Sequence, residues 1–121
     1  MILVILHMKV SAKNRKELSQ TVTSLLRTIR TEKGCGRCDF FHHLEDKNNL
    51  CLIEEWNTQN NYEKHRNSDC FKVLRGAMNL LEEPCSIISY RSMPENAGIG
   101  QPDITTPKIL ISKKGTHEIN T

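Results

Sequence analysis

Two cysteines and two histidines crowd the stretch KGCGRCDFFHH at residues 33 to 43: Cys35, Cys38, His42 and His43. Such a set raises the question of a metal centre or a redox dithiol, and each makes a geometric demand. A metal ion needs its ligands to converge within about 2.0–2.3 Å of one point. If the chain is a strand from Arg37 onward, Cys38 and His42 share a face but stand roughly 13 Å apart, at about 3.3 Å per residue, and His43 points the other way. Cys35 and Cys38 meet only if Gly34 and Gly36 hold a tight turn, and no second pair completes a zinc pattern. A thioredoxin-type dithiol sits at a helix N-terminus, which stabilises its thiolate; this pair follows a helix end instead. The stretch reads as the start of a strand, with no metal and no cofactor.

The elements that carry these residues follow from periodicity. Ile2, Val4, Leu6, Met8 and Val10 alternate with Leu3, Ile5, His7 and Lys9, which predicts a strand buried on both faces at its start and on one face at its end. Asn14 with Glu17 resembles a capping box, and Leu18, Val22, Leu25, Leu26 and Ile29 then recur at helical spacing until Gly34 stops the helix. Residues 37–45 and 50–56 read as two strands around the polar turn DKNN. Asn57 or Thr58 caps a short helix with Tyr62 and His65, and Ser68 caps a second segment striped by Phe71, Leu74, Met78 and Leu81. Pro84 ends it, and residues 85–92 form a last strand. The order is β-α-β-β-α-β: an α+β, ferredoxin-like fold with a four-stranded antiparallel sheet and its helices on one face.

At 121 residues the chain predicts one core domain, residues 1–93, followed by an extension, 94–121, broken by Pro94, Gly98, Gly100, Pro102 and Pro107. In that extension residues 109–111 either add a strand to an exposed edge, the partner subunit's being the one expected, or stay irregular. The uncovered sheet face, with Leu3 and Ile5, predicts a homodimer packed sheet to sheet. A net charge of +3, concentrated on one helix and without a basic stripe interleaved with aromatics, argues against nucleic acid. The start MILVILHMKV lacks a basic n-region, and nothing reaches the roughly 18 apolar residues of a membrane span. A cytoplasmic protein is expected, with its five cysteines reduced.

From Ile2 to about Met93 the chain resembles the antibiotic biosynthesis monooxygenase-type domain of the dimeric α+β barrel superfamily. The resemblance rests on EKGCGRCDFF after the first helix, EEW at residues 54–56, and the run WNTQNNYEKHRNSDCFKVL. Gly34, Cys35, Glu54, Trp56, His65, Ser68 and Phe71 occupy the family's positions, with His65 nine residues after Trp56. The resemblance implies a homodimer with a cavity between sheet and helices in each subunit. It also implies an activity among cofactor-independent oxygenases of quinols and polyketide phenols, haem-degrading enzymes, or enzymes processing a bacterial signalling compound. The haem-degrading branch takes its iron ligand from a His after the Phe, and FKVLRGAM has none. Against the polyketide oxygenases, Trp56 and Tyr62 match in place and His42 fits. Leu52 stands where an Asn is expected, and Arg75 lies only near the Arg position.

Oxidation without metal or flavin draws its electrons from the substrate. A phenol or quinol that loses its proton becomes easier to oxidise by O2, so the protein must supply a base tuned near neutrality, an apolar site and an oxyanion donor. The expected catalytic residues are His65, Tyr62 and His42, and the expected substrate-binding residues are Trp56, Arg75, His7 and Glu54. Each has a structural alternative: a helix His bonded to a carbonyl, a core Trp, a surface Tyr, an ion-paired Glu. Whether His42 or His43 joins Glu54 and Trp56 depends on the turn, since two loop residues favour His43 and three favour His42. The expected function is a dimeric, cofactor-independent monooxygenase of an electron-rich aromatic substrate. An isomerase of a small metabolite and a non-catalytic ligand-binding dimer are the alternatives.

Overall fold

The computed structural model describes residues 1–92 and the backbone of a two-residue strand at 108–109. Alternation makes β1 of Ile2–Lys9: Ile2, Val4, Leu6 and Met8 are buried, whereas His7 and Lys9 are exposed. The helix α1, Ala12–Thr31, buries Leu18, Val22, Leu26 and Ile29 on that sheet face. Its start lies nearer the strand than the capping-box pattern implied. Ser11 is the N-cap, its hydroxyl accepting from the Asn14 amide at 3.3 Å, and the Asn14 side chain donates to the Leu80 carbonyl. A hydroxyl that satisfies the third helical amide outcompetes a cap three residues later.

After Gly34 come β2, Cys35–His42, and β3, Asn49–Trp56. The turn between them spans six residues, 43–48, not the short loop expected, because Asp46 builds its own structure there. Its carboxylate accepts from the Asn48 amide at 2.9 Å and from the Asn49 side chain at 3.1 Å. β2 also carries a bulge: Cys35 faces Trp56 and Arg37 faces Glu55, leaving Gly36 as the extra residue. The bulge puts Cys35 and Cys38 on the same, helix-facing side of the strand. Among the described residues no group of three or more His, Cys, Asp or Glu is arranged to hold a metal ion.

Thr58 caps α2, Gln59–Arg66, and Ser68 caps α3, Asp69–Ala77, each hydroxyl accepting an amide at 3.1 Å. A single 3-10 turn, Met78–Leu80, ends this arm before Pro84, and β4 follows at Ser86–Arg91. The sheet order is β2-β3-β1-β4-β5, antiparallel throughout, with β5, Lys108–Ile109, on this chain's own β4. This is the ferredoxin-like α+β arrangement read from the sequence, with the second helix divided into α2 and α3. The remainder of the extension lies outside the described residues. On the sheet face away from the helices, Ile53, Ile5 and Ile88 stand side by side across three strands, flanked by Leu3 and Tyr90, all half-buried. No helix among the described residues is long and apolar enough to cross a membrane.

Candidate functional site

β3 places Glu54 and Trp56 two residues apart, so both side chains point under the helices, and the indole Nε1 donates to Glu54 Oε1 at 3.0 Å. The chain then turns at Thr58 into α2, where Tyr62 and His65 lie one turn apart on the face packed against the sheet. The His65 ring stacks on Trp56 with centroids 4.6 Å apart, and Phe71 of α3 meets its other side edge-on at 5.4 Å. Tyr62 lies beside the indole at 6.4 Å. The third polar member is Glu32, just past the end of α1: its Oε1 is 2.8 Å from His65 Nδ1. On the other ring nitrogen, Nε2 stands 3.5 Å from Glu54 Oε2. That separation is a charge contact too long for a good hydrogen bond, and it leaves both buried atoms without a hydrogen-bond partner.

Glu32 is held there by the α1–β2 turn. Gly34 has φ +88°, and its carbonyl accepts from the Asn57 amide at 2.9 Å. A side chain at this position would run into Asn57 and Asn61, which are themselves hydrogen-bonded at 2.8 Å. The end of α1 and the start of α2 are thus clamped together, and the Glu32–His65 contact is a consequence.

The electrostatics follow from burial and from the two carboxylates. The His65 side chain is fully buried and that of Glu54 is 2% exposed, whereas that of Glu32 is 20% exposed. Burial alone lowers the imidazole's proton affinity. The close negative charge of Glu54, then the hydrogen bond and charge of Glu32, outweigh it, and His65 titrates above the ordinary histidine value. The carboxylates approach opposite ring nitrogens and do not converge on one point, so the group is arranged for moving a proton and not for chelation. Burial also pushes the Tyr62 hydroxyl well up, which keeps it protonated as a potential donor.

Four of the expected residues, Glu54, Trp56, Tyr62 and His65, therefore form one cluster. Arg75 reaches it only through Phe71, its guanidinium lying 5.6 Å above that ring. His42 and His43 are both exposed: the six-residue turn ends β2 at His42, opposite Leu50, four residues from Cys38 opposite Glu54. That spacing is roughly 13 Å of strand. His7 is exposed on the other sheet face, its ring 6.4 Å from that of His43. Glu32 was not among the residues singled out from the sequence. Its only signal there was a carboxylate two residues before a helix-stopping glycine.

The space between sheet and helices around the cluster is filled by Trp56, Leu52, Leu6, Leu74 and Met78, all 2% exposed or less. The cluster meets the surface instead at a groove of about 420 Å3 between the end of α1 and the α2–α3 junction. Glu32, Lys33, Lys64, His65, Ser68 and Cys70 are among its lining residues.

The family profile described as antibiotic biosynthesis monooxygenase matches residues 1–76. No curated protein matches the chain. Among solved structures, a conserved protein from Methanosarcina mazei Go1 is 26% identical with a TM-score of 0.71, over 74% of this chain and 90% of that one. A Nitrosomonas europaea protein assigned to the antibiotic biosynthesis monooxygenases is 17% identical, with a TM-score of 0.72 over 78% of this chain and all of its own, 100%. A Mycobacterium tuberculosis protein is 20% identical, with a TM-score of 0.71 over 78% and 96%.

Proposed function

The chain belongs to the antibiotic biosynthesis monooxygenase family, and from that premise we propose that it oxidises an electron-rich aromatic substrate, a quinol or polyketide-like phenol, with O2 and without a cofactor. Membership gives a monooxygenase-like function in general terms. The substrate class and the freedom from cofactors are our reading of the site. The observation that carries it is the buried His65, fixed between Glu32 and Glu54 and stacked on Trp56.

In this reading the packed side chains around the ring part for the substrate, and the neutral form of His65 takes the phenolic proton at Nε2, the nitrogen left without a hydrogen-bond partner: the substrate O–H bond breaks and an imidazole N–H bond forms. The phenolate left behind passes an electron to O2, a step that a neutral phenol makes far less readily. Tyr62, kept protonated by burial, donates a hydrogen bond to the developing oxyanion. Glu54 and Trp56 hold the imidazole, so Trp56 serves the ring on which it stacks before it serves the substrate. The face of Leu3, Ile5, Ile53 and Ile88 joins two copies, and the protein works as a cytoplasmic homodimer.

The test is oxygen consumption by EDTA-treated protein with hydroquinones, dihydroxynaphthalenes and anthrones, beside His65→Ala. Uptake that survives chelation and falls at least about tenfold in the variant is expected. No uptake above the buffer rate across the panel rejects the oxygenase reading. Exchange of substrate α-protons with deuterium, without uptake, then assigns an isomerase.

A further inference from the structure

Three features of the described residues stand outside that reading: Cys35 and Cys38 at the β2 bulge, His7 beside His43 on the open sheet face, and the groove at the end of α1. The bulge thiols and the exposed imidazoles have no third group to complete a site. The groove does, because Glu32, which lines it, is hydrogen-bonded to the one ring whose proton the proposed chemistry needs to move.

His65 has no direct route to water. Its side chain is fully buried, the indole covers one face and Phe71 abuts it edge-on. Nε2 faces only Glu54, whose carboxylate is itself buried. Nδ1 alone points outward, and what it meets is the Glu32 carboxylate at 2.8 Å. Glu32 lines the groove and is the first member of the cluster that solvent reaches.

We propose that Glu32 is the proton port of His65: every proton that the buried imidazole exchanges with solvent passes through the Glu32 carboxylate and the groove between α1 and the α2–α3 junction. In the outward step the Nδ1–H bond of the imidazolium breaks, a Glu32 O–H bond forms, and that proton then leaves to water, so the ring ends neutral and Glu32 is again a carboxylate. The inward step is the reverse. No electrons move. The port rests on the reading of His65 as the group that takes and returns the substrate's proton. It gives Glu32 a positioning and relaying task, since Glu32 need not touch the substrate.

The charged and titratable groups around this path come from every element packed on it. Glu54 from β3 faces the inner nitrogen. Lys33 follows Glu32 at the end of α1, Lys64 of α2 flanks the groove, and Asp69 and Cys70 open α3 on its far side. Arg66 leans on the Tyr62 ring at 5.9 Å. Of these, Glu32 is the one hydrogen-bonded to Nδ1.

The experiment is the solvent-exchange rate of the His65 ring N–H by 15N-edited NMR, in the full chain, for the wild type, Glu32→Gln and the distant control Glu82→Gln. The glutamine keeps a hydrogen-bond acceptor on Nδ1 but cannot carry the proton. Exchange is expected to slow at least about tenfold in Glu32→Gln and to stay unchanged in the control. A folded Glu32→Gln protein exchanging at the wild-type rate overturns the port. Glu32→Ala supplies a second arm: added formate, a small carboxylate that fits the vacated groove, should restore fast exchange, and no formate dependence also overturns it. The readout needs no turnover, so exchange that obeys Glu32 in a protein without oxygen uptake leaves the port standing while the oxygenase reading falls.

Discussion

His65 carries a carboxylate on each ring nitrogen, and this couples folding to pH in a definite direction. Its folded value lies above the ordinary imidazole value of about 6.5, which the unfolded chain recovers. The stabilisation is therefore complete below about 6.5 and is lost as pH rises through the folded value. Wild-type protein should lose stability as pH rises above about 6.5 more steeply than Glu32→Gln, as read from urea midpoints; parallel slopes would remove Glu32 from the coupling. The thiols, three buried and two half-buried, set the upper limit of the window, because their folded values are also raised, and above about pH 8.5 they ionise first in the unfolded chain. Among single residues, the sequence made Glu54, Trp56, Tyr62 and His65 legible, since periods of two and of three to four put them under one another. Glu32 was not legible, because its contact with His65 spans 33 positions and no spacing rule reaches so far. His42 was misplaced for a related reason. Its position depended on a turn whose length Asp46 sets by its own hydrogen bonds.

Two glycines separate what the elements need from what they tolerate. Gly34 joins α1 to β2 at positive φ, and a Cβ there would collide with Asn57 Oδ1 and come within 2.6 Å of Asn61 Nδ2. At Gly76, in α3, an added Cβ would meet nothing within 4 Å. Gly34→Ala should therefore cost at least about 1–3 kcal/mol and loosen the Glu32–His65 contact. Gly76→Ala should stabilise by about 0.5–1 kcal/mol. Urea denaturation of the two variants checks both signs, and equal shifts would show that the turn at Gly34 is not the clamp described. The strands and helices themselves were legible to within a few residues. The departures came where a side chain captured the backbone, as Ser11 did in starting α1 early, or where one extra residue, Gly36, shifted the alternation of β2. The bulge is also why Cys35 and Cys38 share a face that simple alternation denies them.

At the scale of the whole molecule, the described residues present one helix-covered face and one sheet face where Ile53, Ile5 and Ile88 run side by side. A contiguous row of branched apolar residues at half exposure is what a sheet-to-sheet dimer would cover. Ile53→Lys puts a charge in the middle of that row without touching the helix side. Light scattering at micromolar concentration should report a dimer for the wild type and a monomer for this variant; a wild-type monomer would remove the pairing from the proposal. The uncovered face was legible from the alternation of β1 alone, because Leu3 and Ile5 have no helix left to meet in a fold with both helical arms on one side. The placement of residues 93–107 and 110–121 lies outside the described residues.

Trp56 is the chain's single tryptophan, and it lies flat against His65 at 4.6 Å. An imidazolium in contact with an excited indole quenches it far more than a neutral imidazole does. The protein's ultraviolet emission is therefore a label-free gauge of the ring's charge, brightening as His65 loses its proton and dimming as it regains it. The protonation state of this buried base can be followed by light alone, in dilute solution and in real time.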